Sequence, residues 1–259
     1  MKRSLLLFLL AVCAASCGSD RGPITPPGPP PVIEPPPPPP PPPPDPPTLA
    51  VETILAFGDS LTHGPDPAES GLTVSNIHDH GTLGESISYP FKLHAMLVNT
   101  YTGQTETIKV FNAGQGGEAV SSSKAKERML AELARFRPEV LLLMHGANDL
   151  LREVPIQRIV DHMEELIQLA HAGGVKRVFL ASLPPQVETI ASEEVPEYNK
   201  ELRKMSASAG ATFVDVFANI ETQTMMEEDG LHLREIGNQK IAELFYEALK
   251  AAFHREPGS

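Results

Sequence analysis

Tryptophan is absent from the 259-residue chain, and aromatic residues make up only 5% of it. Recognition of sugars or bases by stacking therefore has little to work with, although the 4 Tyr and 10 Phe could supply some. Basic runs are missing as well. Lys and Arg number 21 against 33 Asp and Glu, the formal net charge is -12, and neither sign forms a long block. A nucleic-acid binder shows a basic face, so that class of partner is disfavoured. Cysteine occurs only at Cys13 and Cys17, so the chain beyond them folds without a disulfide. No H-E-x-x-H or C-x-x-C is present to hold zinc. The G-x-S-x-G elbow is absent too, because Thr62 stands where its second glycine would be.

Proline, by contrast, is abundant. Of 27 prolines, 18 fall between Pro23 and Pro47, and Pro35 to Pro44 are consecutive. That stretch cannot build a core. The remainder, roughly Thr48 to Ser259, is about 210 residues and long enough for one sizeable core. Upstream, Met1-Lys2-Arg3 supplies positive charge and Leu5 to Ala15 is an apolar run of 11 residues. A spanning helix needs about 20, so residues 1–16 read as a signal peptide.

Cys17 follows Ala14-Ala15-Ser16 and precedes Gly18-Ser19. This resembles the lipobox of a bacterial lipoprotein, with Ala14 where Leu is commoner. The resemblance implies lipidation of Cys17, export, and tethering to a membrane of the cell envelope. Cleavage after a small residue by an ordinary signal peptidase is the alternative. Residues 17–47 then serve as anchor and spacer. Polyproline II rises about 3.1 Å per residue, so some 25 residues reach roughly 75 Å.

From residue 48 onward, apolar runs of strand length alternate with helical patterns. The strands are Val51–Phe57, Ile108–Phe111, Val140–Met144, Val175–Ala181 and Thr212–Val216. Helical spacing marks Tyr89–Val98, Ser122–Phe136, Ile156–Ala170 and Ile236–Ala252, and more weakly Ala191–Ala209. Five short apolar strands between helices predict an α/β fold with a parallel sheet covered on both faces. Ligands bind such sheets at the carboxyl ends of the strands, which makes the residues after each strand the candidates.

Those residues form one set. Gly58-Asp59-Ser60-Leu61-Thr62 follows the first strand, Asn112 to Gly117 the second, and Gly146-Ala147-Asn148-Asp149 the third. Asp229-Gly230-Leu231-His232 precedes the last helix. Ser60 is a weak nucleophile unless a base takes its proton. His232 is the candidate base, and Asp229 can accept from its other ring nitrogen and fix the tautomer. Oxyanion charge needs aimed donors, which the N–H groups of Ser60 and Gly117 and the Asn148 amide can supply. Each piece alone reads as a turn or a helix cap. All four in order are far more specific.

The pattern resembles the SGNH (GDSL) hydrolase superfamily of esterases and lipases, whose four blocks are matched by Ser60, Gly117, Asn148 and His232. The likeness spans Ile54 to about Leu249, with Tyr89-Pro90, Tyr198-Asn199 and Val214-Asp215 also familiar. It implies a three-layer, flavodoxin-like α/β/α sandwich and metal-free, cofactor-free ester hydrolysis. Ser60 is then nucleophile, His232 base and Asp229 its orienter, with Ser60, Gly117 and Asn148 in the oxyanion hole. Leu233-Arg234 stands where many members have Pro-Asn.

Other polar residues are weighed against plainer roles. His63, His145 and Leu183 are candidates to line the substrate site, although a hydrogen-bonded core or rim histidine also suits His145. Asp59 and Asp149 read as loop supports. Glu118, Glu193 and Glu194 read as surface. The long segment Pro65–Ser88 reads as a wall of the site, and His78-Asp79-His80 within it as a solvated loop rather than a metal site. Leu183–Pro196 is expected to shape the acyl pocket. The leading expectation is a carboxylic-ester hydrolase for short to medium acyl chains. A lysophospholipase or thioesterase, a polysaccharide O-deacetylase, an acyltransferase and a non-catalytic surface module stay open.

Overall fold

The computed structural model describes residues 45–64 and 87–257, together with Gly28. The expected signal peptide, Cys17, most of the proline-rich spacer and the loop with His78, Asp79 and His80 lie outside the described residues.

Strand β1 (Thr48–Leu49) leads into β2 (Thr53–Gly58), the short helix α1 (Ser60–His63) and α2 (Tyr89–Thr100). Next come β3 (Lys109–Gly114), α3 (Ser123–Phe136), β4 (Val140–Met144), α4 (Ala147–Leu150) and α5 (Ile156–Ala172). The chain closes with β5 (Arg177–Ala181), α6 (Val195–Ser208), β6 (Ala211–Val214), α7 (Thr222–Met225), α8 (Glu235–Phe253) and β7 (His254–Arg255).

Strands β2 to β6 form one parallel sheet in the order β3-β2-β4-β5-β6. This is the flavodoxin-like order, in which the chain starts centrally, steps to one side and then winds out the other. Composition explains the order. All five residues of β4 and five of six in β2 are buried, as strands covered on both faces require. Edge strand β6 buries only Val214. Strands β1 and β7 pair antiparallel, apart from this sheet.

The helices present apolar stripes to the sheet. In α5 the buried residues Ile159, Val160, Met163, Leu166, Ile167 and Ala170 repeat at helical spacing. Helix α5 packs on α3 and α6, while α2 packs on α8, giving the helical layers of an α/β/α sandwich. Tyr89 opens α2 fully buried and stacks on Phe245 of α8 at 5.3 Å. Leu130 and Ile236, which lie within the two segments of helical spacing Ser122–Phe136 and Ile236–Ala252, are exposed.

Register matters most for function. Gly58 of β2 lies opposite Gly114 of β3 on one side and Met144 of β4 on the other. Three strands therefore end together, and their following residues share one edge of the sheet.

Candidate active site

Ser60 sits at the first residue of α1, directly after β2. Asp59 caps this helix: its side chain accepts from the Leu61 N–H at 3.0 Å. The cap fixes the corner on which Ser60 stands. Its Oγ lies 2.9 Å from His232 Nε2, although 172 residues separate them. His232 Nδ1 is 2.5 Å from Asp229 Oδ2. The other Asp229 oxygen accepts from the backbone N–H groups of Leu231 and His232, each at 2.9 Å. Burial alone would raise the Asp229 carboxyl, but the His232 ring and these two N–H groups outweigh it and hold it below its ordinary value. An ionised Asp229 favours a proton on Nδ1 and leaves Nε2 free to accept from Ser60.

The candidate oxyanion donors come from the neighbouring strand ends. Gly117 follows β3 with φ +71°, a conformation glycine adopts without strain. A Cβ there would meet nothing within 4 Å, so conformation rather than crowding calls for glycine. Asn148 lies on α4, which starts directly after Gly146. Gly146 has φ +107°, and a Cβ on it would fall 2.4 Å from the Tyr198 hydroxyl. Among the described residues, no protein acceptor engages the Ser60 N–H, the Gly117 N–H or the Asn148 side-chain amide.

Asp149 joins two of these pieces. Its fully buried carboxylate accepts from the Val120 N–H at 2.7 Å and the Ser121 N–H at 3.0 Å. The Asn148 turn is thereby bound to the segment that follows Gly117.

The GDSL-like lipase/acylhydrolase family matches residues 56–240. The chain belongs to the GDSL-like lipase/acylhydrolase family. This GDSL-like enzyme is a carboxylic-ester hydrolase. Its fold is shared with LAE5, an alpha/beta hydrolase enzyme from the metagenome of Lake Arreo, Spain, at 20% identity and TM-score 0.61. That match covers 78% of this chain and 96% of the other. Axe2, an acetylxylan esterase from Geobacillus stearothermophilus, aligns at 18% identity and TM-score 0.61, covering 78% and 96%. A lipase/acylhydrolase from Enterococcus faecalis aligns at 18% identity and TM-score 0.60, covering 80% and 99%. No curated protein matches the chain.

The remaining candidates of this GDSL-like hydrolase fall in different places. His63 ends α1, partly exposed, with Nδ1 2.8 Å from the Gly64 carbonyl. His145 and Leu183 are fully buried. Neither presents surface to a substrate, which corrects the expectation that they line the site. Leu183 joins the core because its backbone N–H and carbonyl are both taken by the Asn199 side chain, at 2.8 and 3.0 Å. Glu118, expected at the surface, instead turns inward: its side chain is 7% exposed and paired with Arg128 and His145. Arg128 went unnoticed in the sequence. Its place in α3, ten residues after Glu118, follows no motif, and only the fold brings the two together. Among the described residues, no group of three His, Cys, Asp or Glu could hold a metal ion.

Proposed function

We propose that this enzyme hydrolyses carboxylic esters through an acyl-enzyme on Ser60, with short to medium acyl groups favoured. The observation behind it is the chain of contacts from Ser60 Oγ to His232 at 2.9 Å and from His232 to Asp229 at 2.5 Å, beside three N–H donors that no acceptor among the described residues engages. His232 Nε2 takes the Ser60 proton as Oγ attacks the ester carbon. The carbonyl oxygen becomes an oxyanion and accepts from Ser60, Gly117 and Asn148. Protonated His232 then gives its proton to the departing alcohol. Water, deprotonated by the same imidazole, releases the acid and restores Ser60.

The preference for shorter acyl groups draws on the segment after β5. Of its apolar side chains, Leu183 and Val195 turn into the core, leaving Val187 and Ile190 exposed. A long acyl chain needs a continuous apolar channel, and half of these side chains are unavailable for one. An acetyl ester on a polysaccharide fits the same reading, and one structural relative is an acetylxylan esterase. We further propose that Cys17 carries the lipid that holds the enzyme in the cell envelope.

The test uses p-nitrophenyl esters from acetyl to palmitoyl, with Ser60→Ala beside the native enzyme. Serine-dependent turnover highest at acetyl or butyryl, with an acyl mass trapped on Ser60, is the expected result. A maximum at palmitoyl would replace the short-chain reading with a lipase or lysophospholipase. Equal activity in Ser60→Ala would end the acyl-enzyme reading.

A further inference from the structure

Beneath the reacting surface lies a guanidinium that the proton relay does not use. Arg128 projects from α3 with its side chain 17% exposed. Its Nε donates to both Glu118 oxygens, at 3.1 and 3.2 Å. One terminal nitrogen donates to the Ala113 carbonyl. The other donates to the Gly58 carbonyl at 3.0 Å and to Glu118 again. Arg128 Cζ lies 3.8 Å from the centroid of the Phe57 ring. Every nitrogen of the fork is engaged, and its acceptors belong to the ends of β2 and β3 and to the segment that follows β3. Glu118 is held as a carboxylate. Burial alone would raise its carboxyl, but His145 and Arg128 outweigh it and keep it below its ordinary value. His145 Nδ1 accepts from the Gly146 N–H at 2.9 Å, which leaves the ring proton on Nε2, 3.1 Å from Glu118 Oε2.

What lies between these acceptors gives the fork its importance. Gln115 to Glu118 form a β-turn, closed by the Glu118 N–H on the Gln115 carbonyl at 3.2 Å. Gly116 and Gly117 occupy its exposed middle. A Cβ on either would meet nothing within 4 Å, so no packing holds them. Two adjacent glycines also have the widest backbone freedom. The Gly117 N–H is therefore fixed only as firmly as the turn is held from outside. At its start, the Gln115 N–H donates to the Gly58 carbonyl at 3.0 Å. At its end, Glu118 is bound to Arg128. Among the described residues, Arg152 adds one bond at the exposed rim, to the Gly117 carbonyl at 2.8 Å.

One guanidinium thus grips Gly58, two residues before Ser60, and Glu118, the residue after Gly117. We propose that Arg128 is a positioning residue: its fork ties the end of β2 to the glycine turn after β3 and so fixes the spacing of the Ser60 and Gly117 N–H donors. This inference rests on the ester-hydrolase reading above. Shape is needed as well as charge. A guanidinium meets several fixed acceptors through one rigid plane of donors, whereas an ammonium is a point charge on a flexible stem. An oxyanion gains most from donors already in place when it forms. A loosened turn therefore lowers kcat, while ground-state binding, which involves no oxyanion, is spared.

The experiment compares the full chain with Arg128→Lys, using p-nitrophenyl acetate well below the melting temperature of both. In Arg128→Lys, kcat should fall by about 10- to 100-fold, the scale of a slightly misplaced catalytic group, with KM little changed. A double-mutant cycle with Gly117→Ala separates positioning from support of the fold. Alanine disfavours the positive φ of residue 117, so that variant has already displaced the N–H. Arg128→Lys should then cost little further in the Gly117→Ala background. If Arg128→Lys does not fold, Glu118→Gln takes its place, with a loss in kcat that Gly117→Ala likewise cancels. Unchanged kcat, a loss carried by KM, or losses that multiply in the double variant would each overturn the brace. A native enzyme no better than Ser60→Ala overturns the hydrolase reading instead. The Gly117 amide signal in 15N NMR then decides the brace, shifted in Arg128→Lys if the fork holds the turn and unmoved if it does not.

Discussion

His232 and Asp229 stand on a loop with side chains 43% and 49% exposed, whereas Asp59 and His145, just beneath Ser60, have no exposed surface at all. In the mechanism proposed above, the two regions serve one reaction under different physical demands. The relay must accept and return a proton in every cycle, so it sits where water and alcohol can reach it. The oxyanion cradle must not move, because donors that reorganise during the reaction lose their advantage. Beside it the buried Asp149 carboxylate accepts from the Val120 and Ser121 N–H groups. Damage to the relay should therefore spare the fold, and damage to the cradle's supports should not.

Asp229→Asn is the strongest way to test the first half of that contrast. The amide no longer fixes the His232 tautomer, and kcat should fall by about 10³- to 10⁴-fold. The melting temperature should stay near the native value, read by calorimetry. Asn148→Ala removes one donor and should cost about 10²- to 10³-fold in kcat. Steady-state kinetics should show KM little affected. Asp149→Ala bears on the second half. It strips the Val120 and Ser121 N–H groups of their buried acceptor, at about 1–3 kcal/mol for each unsatisfied group. Urea unfolding should show this loss alongside weaker catalysis. A fold as stable as the native one would erase the distinction between the two regions.

A smaller effect sharpens the comparison from the acid side. Asp229 is held below its ordinary carboxyl value of 3.8. Its contribution to stability is thus complete above 3.8 and fades as pH falls through the lower folded value. Its exposure keeps that contribution slight. Thermal melts of native enzyme and Asp229→Asn should converge as the solution is acidified below pH 3.8.

The sequence made the sheet plain and its undersurface obscure, for physical reasons. Strands such as Val140–Met144 are fully apolar because both faces are covered, and that pattern survives without any structure in hand. Ser60, Gly117, Asn148 and His232 were readable because each follows or precedes a recognisable element. Helices α1, α4 and α7 were not anticipated, since four residues make barely one turn and show no periodicity. Strands β1 and β7, two residues each, gave no alternation to detect. Glu118 was misread because a lone acid after a glycine is ordinarily solvated. Its partners Arg128 and His145 lie 10 and 27 residues away, and only the closing of β2, β3 and β4 into one sheet brings them into reach.

The pairing of β1 with β7 has a mechanical consequence. Helix α8 begins three residues after His232 and runs for 19 residues, about 28 Å at 1.5 Å per residue. It carries His254 and Arg255 to the pole opposite the catalytic edge, and there they grip Thr48 and Leu49. A chain arriving at Thr48 therefore holds the enzyme by its base. If Cys17 carries the proposed anchor, tension along that chain enters at the two-strand grip, at the far end of the long helix from Ser60.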